Sequence, residues 1–277
     1  MALRLPKDDP LARSLVDAIH AGEVERVRVL VTENQDLAPA LLVDKKGGSG
    51  TPLHAATDWP GYFPNGPKIV SILIDAGADP NIAVEGSRHA ETPLHWAASS
   101  DDVDVARALI DGGANIEATG ASLGGGTPLD DAVGYGCWQV ARLLVERGAQ
   151  VDLGHAAALG LMTRVKELLA ADPTTPEELN DAFWLACAGG QRRMAAHLLE
   201  VGADLNGTPS WGGNSTPLDA ADSQDTGREA LVTWLKERGA TRSSGVEVEP
   251  WGNPRPSFRL AYLSPSPATG DATWGRS

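Results

Sequence analysis

The residues of this 277-residue chain that could do chemistry are few and widely spaced. Two thiols, Cys137 and Cys187, make up the cysteine content, and neither stands at a metal-ligand spacing from a histidine. The run Gly120-Ala121-Ser122-Leu123-Gly124-Gly125-Gly126 has no lysine after it in a P-loop arrangement and no strand pattern before it. It therefore reads as a flexible hairpin rather than a phosphate cradle. What remains is recognition chemistry. The chain carries eight Trp against three Tyr and three Phe, on a background of net charge −14 and a pI near 4.8. Carboxylates beside aromatic faces suit a Lys or Arg side chain, through charge pairing and cation–π contact. The same field repels nucleic acid and anionic lipid. No leading apolar segment and no run of 18 apolar residues is present. Together with two free thiols this predicts a cytoplasmic protein with no membrane or nucleic-acid partner, no cofactor and no metal.

Four copies of one phrase organise the elements that must position these groups. They are Thr51-Pro52-Leu53-His54, Thr92-Pro93-Leu94-His95, Thr127-Pro128-Leu129-Asp130 and Thr216-Pro217-Leu218-Asp219. Each opens an alanine-rich stretch, followed by a second apolar helical pattern and a Gly-Ala pair. Proline costs no hydrogen bond at the first helical position, and Gly ends a helix cheaply in the left-handed conformation. The first three starts lie 41 and 35 residues apart. This phrase and its period resemble the ankyrin repeat family, from about Ser14 to Ala240. The resemblance implies an all-α repeat solenoid of about seven helix-turn-helix units linked by β-hairpin loops. The array would span residues 1–240, with an N-terminal cap at 13–40 and units starting near 51, 92, 127, 151, 181 and 216. A Pro/Ser/Gly-rich tail, 241–277, follows, and its segment 258–263 alternates like a short strand or anchor.

In that register the second helix opens near position ten and a Gly falls near position 22. Thr92 leads to Asp101 and Gly113, and Thr127 to Gly136 and Gly148. The unit from Thr51 reaches Gly77 five residues late, and the excess is the run from Trp59 to Pro67, whose three prolines cannot continue a helix. The unit from Thr216 is two residues late, through a loop around Asp225 and Thr226. Cys137 and Cys187 fall two units apart, roughly 20 Å at about 10 Å per layer, too far for a disulfide.

The family resemblance also assigns roles. Thr51, His54, Thr92, His95, Thr127, Asp130, Thr216 and Asp219 would hold each turn and tie it to its neighbour. The concave groove would be lined by Asp17, His20, Asp58, Trp96, Ser99, Asp131 and His155, with Trp59 and Tyr135 near its rim. Tips of the hairpins would add His89, Ser122, Trp211 and Asn214. Trp184 and Trp234 fall at apolar positions suited to a core.

These assignments predict a protein-protein interaction module that binds a basic or amphipathic partner segment in an acidic, Trp-containing groove. Trp59, Tyr62 and Phe63, set between prolines, form a stiff aromatic finger suited to setting specificity. The bland counterparts are a loop folded onto its own helices and acidity that serves only solubility. A second reading places a small-molecule or enzymatic pocket around Trp96, Asp131, Tyr135 and His155. A third is a scaffold that self-associates through the tail. The family is rarely catalytic, so the expectation is a non-enzymatic monomer.

Overall fold

The computed structural model describes residues 3–211, 213–222 and 228–243. The loop around Asp225 and Thr226 and the tail segment 258–263 lie outside the described residues. The described chain forms two compact units, which divide between Ala149 and Gln150.

The first unit is built from helix pairs. They are α1 (Pro10–Ala21) with α2 (Val24–Glu33), α3 (Pro52–Ala56) with α4 (Gly66–Asp75), α5 (Pro93–Ser99) with α6 (Val103–Asp111), and α7 (Pro128–Gly134) with α8 (Trp138–Glu146). First helices touch in the order α1–α3–α5–α7, and second helices in the order α2–α4–α6–α8. The second unit pairs α9 (Leu153–Ala158) with α10 (Met162–Ala171), α11 (Pro176–Ala188) with α12 (Arg192–Val201), and α13 (Pro217–Asp222) with α14 (Glu229–Glu237). This is the expected all-α repeat fold.

Composition explains the packing. The first helices α3, α5 and α7 are short and rich in Ala (Ala55, Ala56, Ala97, Ala98, Ala132), all buried, so neighbouring backbones approach closely. Larger side chains fill the space between the two rows: Leu15, Ile19, Leu53, Ile69, Leu73, Leu94, Leu109 and Leu129 in the first unit. In the second unit Phe183, Trp184, Leu198, Leu218 and Leu235 do the same. Both cysteines are buried and free, and burial pushes the Cys187 thiol far above its ordinary range.

A small sheet precedes the Thr51 phrase. Strands β2 (Leu41–Val43) and β3 (Ser49–Gly50) form an antiparallel hairpin. A third strand, β1 (Arg4–Pro6), pairs in parallel with β2, in the register Arg4↔Leu41 to Pro6↔Val43. Three residues carry too little periodicity to announce such a strand. It delivers Lys7 beside Asp44, at 3.9 Å, and within electrostatic reach of Asp58.

The run between α3 and α4 is a loop, as its prolines require, and it is fastened on both sides. Asn65 donates its side-chain amide to the Gly22 carbonyl at 3.0 Å, and Phe63 stacks on His20 with ring centroids 4.3 Å apart. On the other side the Tyr62 amide donates to Asp102 at 2.6 Å, and its hydroxyl donates to the Asp101 carbonyl. The finger is thus folded onto its neighbours, and the Tyr62 ring is the part left in solvent, 61% exposed.

Asp101 sits where other helix pairs place a left-handed glycine. Its φ is 55°, against 69–72° at Gly22, Gly136, Gly160 and Gly190. Asp tolerates this region better than most residues. Its carboxylate accepts the Gln139 and Val140 amides at 3.0 and 2.9 Å, capping the start of α8. Asp101→Ala is expected to destabilise the first unit by about 1.5 kcal/mol, the usual worth of such a cap. Asp101→Asn, which keeps both the acceptor and the left-handed tolerance, should cost under about 0.5 kcal/mol. Urea midpoints of the two variants check the contrast.

Candidate functional site

The motif residues form a repeated device. The Thr51 amide donates to His54 Nδ1 at 3.1 Å, and His54 Nε2 reaches the Glu91 carbonyl at 3.2 Å, just ahead of the next phrase. Thr92 and His95 repeat this at 3.1 Å, with His95 Nε2 lying 3.4 Å from the Gly126 carbonyl. Because Nδ1 accepts a backbone N–H, the proton sits on Nε2 and both rings are neutral. Burial holds each imidazole down to about 4. Asp130 and Asp219 keep the local half of the device, each carboxylate accepting the amide and hydroxyl of its own Thr127 or Thr216, and Asp219 also accepts the Ser243 amide at 3.0 Å. Trp184 supplies the reaching half in the second unit, donating its indole N–H to the Ser215 carbonyl at 3.0 Å. Its ring is core and also tied to the following phrase.

The expected groove residues fare differently. Asp17 is exposed, and His20 is half-buried with Nε2 3.0 Å from the Ala55 carbonyl. Asp58, Trp96, Ser99, Asp131, Tyr135 and His155 are all buried. Six of the nine rim and groove side chains are therefore closed off in this conformation. Asp58 accepts the Trp59 amide at 2.8 Å and lies in the field of Lys7. Trp96 packs edge-on against the His54 ring, with centroids 5.0 Å apart. Trp59 is half-buried.

The structure does bring Asp131 and Tyr135 together, through a residue noted only at a hairpin tip. Ser122 Oγ donates to Asp131 Oδ1 at 3.1 Å and lies 2.9 Å from the Tyr135 hydroxyl. The Leu123 amide also faces Asp131 Oδ1, at 3.4 Å. Burial, and then the nearby Glu91 carboxylate, push the Asp131 carboxyl well above the usual range. The signal that could have located this network was the Ser-Leu pair inside the glycine run, the sole side chains there able to reach back.

In the second unit His155 Nδ1 lies 3.1 Å from Asp152 Oδ1, and Asp152 also accepts the His155 amide at 2.7 Å as the helix cap. Trp211 is 49% exposed and meets Trp184 edge-on, with centroids 5.6 Å apart. Its neighbour Ser210 donates its amide to Asp181 at 2.7 Å. Thr241 and Ser243 close the last described pair, their backbones meeting Thr216 and Asp219 at 2.8 and 3.0 Å.

Two open cavities lie between second helices of the first unit. One, of about 480 Å³, is lined by Lys68, Ile74, Asp104 and Arg107, and one of about 530 Å³ by Arg28, Val31 and Ile72. Among the described residues no cluster of three or more His, Cys, Asp or Glu is placed to hold a metal ion. No described helix is long and apolar enough to cross a membrane.

Comparison with known proteins agrees with the motif. A family model described as ankyrin repeats, three copies, matches residues 63–155. The B-cell lymphoma 3 protein homolog of Mus musculus is 28% identical over 215 residues, covering 72% of this chain and 45% of the mouse protein. Protein fem-1 homolog A of Bos taurus is 40% identical over 88 residues, covering 27% of this chain and 13% of that protein. The chain spans under half the length of both. The crystal structure of the human ASB11 ankyrin repeat domain aligns with a TM-score of 0.47 at 21% identity, covering 92% of this chain and 99% of that one. With the repeated phrase and the helix pairs it opens, this family match shows that the chain contains ankyrin repeats, matched over residues 63–155.

Proposed function

We propose that this chain binds another protein through a basic or amphipathic segment of that partner, in a groove along the first helices and hairpins. Ankyrin repeats are in general protein–protein interaction modules. The observation that supports the finer reading is that two large rings are left in solvent, one of them beside carboxylates. Tyr62, 61% exposed, stands with Asp101, Asp102 and Asp104 in its field. Trp211, 49% exposed, follows Ser210, which is bound to Asp181. Ring faces next to negative charge attract Lys and Arg, and such rings are frequent binding hot spots. The net charge of −14 adds a long-range attraction for basic partners. In the first unit Asp17, His20 and Phe63 extend this surface around α1 and the finger.

The test is capture from the lysate of the native cell, comparing wild type with Tyr62→Ala/Trp211→Ala. Each ring is about half exposed or more, so losing the Tyr62 hydroxyl bond and the Trp211 edge contact should lower the melting temperature by about 5 °C at most. A protein retained by wild type, released by moderate salt and lost from the double variant by tenfold or more supports the reading. Retention by both proteins, or by neither, overturns it.

A further inference from the structure

The glycine run before α7 is a strap. Residues 120–126 close on themselves: the Gly120 and Ala121 amides donate to the Gly126 carbonyl, and the Gly125 amide to the Ala121 carbonyl, all at 3.0 Å. From this closed turn two residues reach down to α7. Ser122 holds Asp131 and Tyr135, and Leu123 lies over Gly134 so closely that a Cβ there would sit 2.1 Å from its Cδ1. Gly124 and Gly125, at φ 69° and 75°, face open space. Under the strap Asp131 has no exposed surface, and its Oδ2 makes no hydrogen bond. A second carboxylate, Glu91, lies in its field. Trp96 occupies on α5 the helical position that Asp131 occupies on α7, and these two helices pack together.

We infer that the strap 120–126 is a gate over a receptor for an arginine side chain of the partner protein, formed by Asp131 and Glu91 with the rings of Tyr135 and Trp96. This rests on the protein-binding reading and names its central contact. An ionised carboxylate with an idle oxygen is poorly tolerated without solvent or a counter-charge. The remaining charged groups on the packed elements do not supply one. His95 on α5 is neutral, Asp130 on α7 is bound by Thr127, His89 ahead of α5 is held below its ordinary range by burial and meets the Ala121 backbone, and Arg142 on α8 and Arg147 just after it are turned to the Trp138 carbonyl and to Asp111. The closed strap therefore goes with a protonated Asp131, and ionisation favours the open one. An open strap presents two carboxylates and two ring faces, which match a planar guanidinium fork better than a compact ammonium. Arginine and the proton compete for one site, so binding releases one proton wherever Asp131 starts protonated.

The probe is acetyl-arginine amide, with the neutral isostere acetyl-citrulline amide as control, added to the full chain and followed by the NMR signals of the Ser122 and Leu123 amides and the Trp96 indole. Saturable shifts are expected with the arginine compound and none with citrulline. Affinity should rise about tenfold per pH unit until Asp131 ionises in the free protein, then level off. Ser122→Ala, which unfastens the strap, should tighten binding several-fold and flatten the pH slope. Asp131→Asn, an isostere of the protonated form, should fold normally and abolish the shifts. Equal response to both compounds, or affinity indifferent to pH and to Ser122→Ala, overturns the gate. If Asp131→Asn fails to bind arginine but still captures the protein partner, the assignment of this site to the partner's arginine is overturned while the protein-binding reading survives. If Asp131→Asn binds both as wild type does, the receptor assignment fails while the protein-binding reading survives.

Discussion

Acidification from pH 7 to pH 4.5 is expected to remove about 5 kcal/mol of stability from the first unit, because His54 and His95 are buried as neutral rings. Each imidazole is held at about 4 in the folded chain, against roughly 6.5 when unfolded. Below 6.5 the unfolded state binds protons that the folded state refuses. Stability is therefore complete above that value and declines as pH falls towards 4, by about 2.5 kcal/mol per histidine at pH 4.5. The structural cause is specific: a proton on Nδ1 would displace the Thr51 or Thr92 amide that donates to it. Asp131 works with the opposite sign. Its folded carboxyl lies above its unfolded value, so its contribution is fullest at low pH and fades as pH rises through the folded value. The experiment is therefore run on Asp131→Asn, where this opposing titration is gone, as urea denaturation of the first unit across pH 4.5–7. Replacing both histidines by Gln keeps a capping partner for each Thr but cannot titrate. That protein should be weaker at pH 7 and nearly flat with pH. A histidine-containing protein whose midpoint does not move between pH 7 and 4.5 would refute the assignment of both rings as buried and neutral.

The repeated phrase made the fold legible because it encodes local geometry: Pro at the first helical position, Thr before it, and His or Asp three residues on. Those requirements are satisfied within five or six residues, so they survive in a single sequence. The groove was less legible. Register placed Trp96 and Asp131 correctly on neighbouring first helices, yet it gave no hint that a strap would fold over Asp131. That depends on Ser122 and Leu123 reaching back, a tertiary choice with no periodicity. The finger was foreseen as a loop from its three prolines. Its fastening to Gly22 and Asp102 was not, since those partners lie about 40 residues away on either side. Strand β1 escaped notice for the same reason, three residues whose partner lies beyond α2. Short-range rules expose the scaffold, and long-range contacts decide which of its side chains stay open to a partner.

Trp184 is the sharpest instance, and Trp184→Ala is expected to cost the second unit about 4 kcal/mol. The ring is 1% exposed at the centre of a cluster that includes Phe183, Cys187, Leu198 and Leu218. Truncating a buried Trp loses its transfer free energy and leaves a cavity, typically about 3–5 kcal/mol together. Two further contacts go with it: the indole N–H to the Ser215 carbonyl and the edge-on meeting with Trp211. The first leaves a carbonyl without its donor immediately before the Thr216 phrase. Trp184→Phe separates the two contributions, since it fills most of the volume but cannot donate. It should cost about 2 kcal/mol, of which roughly half is the lost hydrogen bond and half the reduced volume. Trp184→His restores a ring N–H of the kind that His54 and His95 use, and it should acquire their acid sensitivity while remaining weaker than Trp at neutral pH. Amide exchange of α11 and α13 against urea reads all three variants on the unit concerned. If Trp184→Phe proves as damaging as Trp184→Ala, the tie to Ser215 outweighs the packing. If Trp184→Phe is silent, Trp184 is core alone, and the parallel with the motif histidines fails.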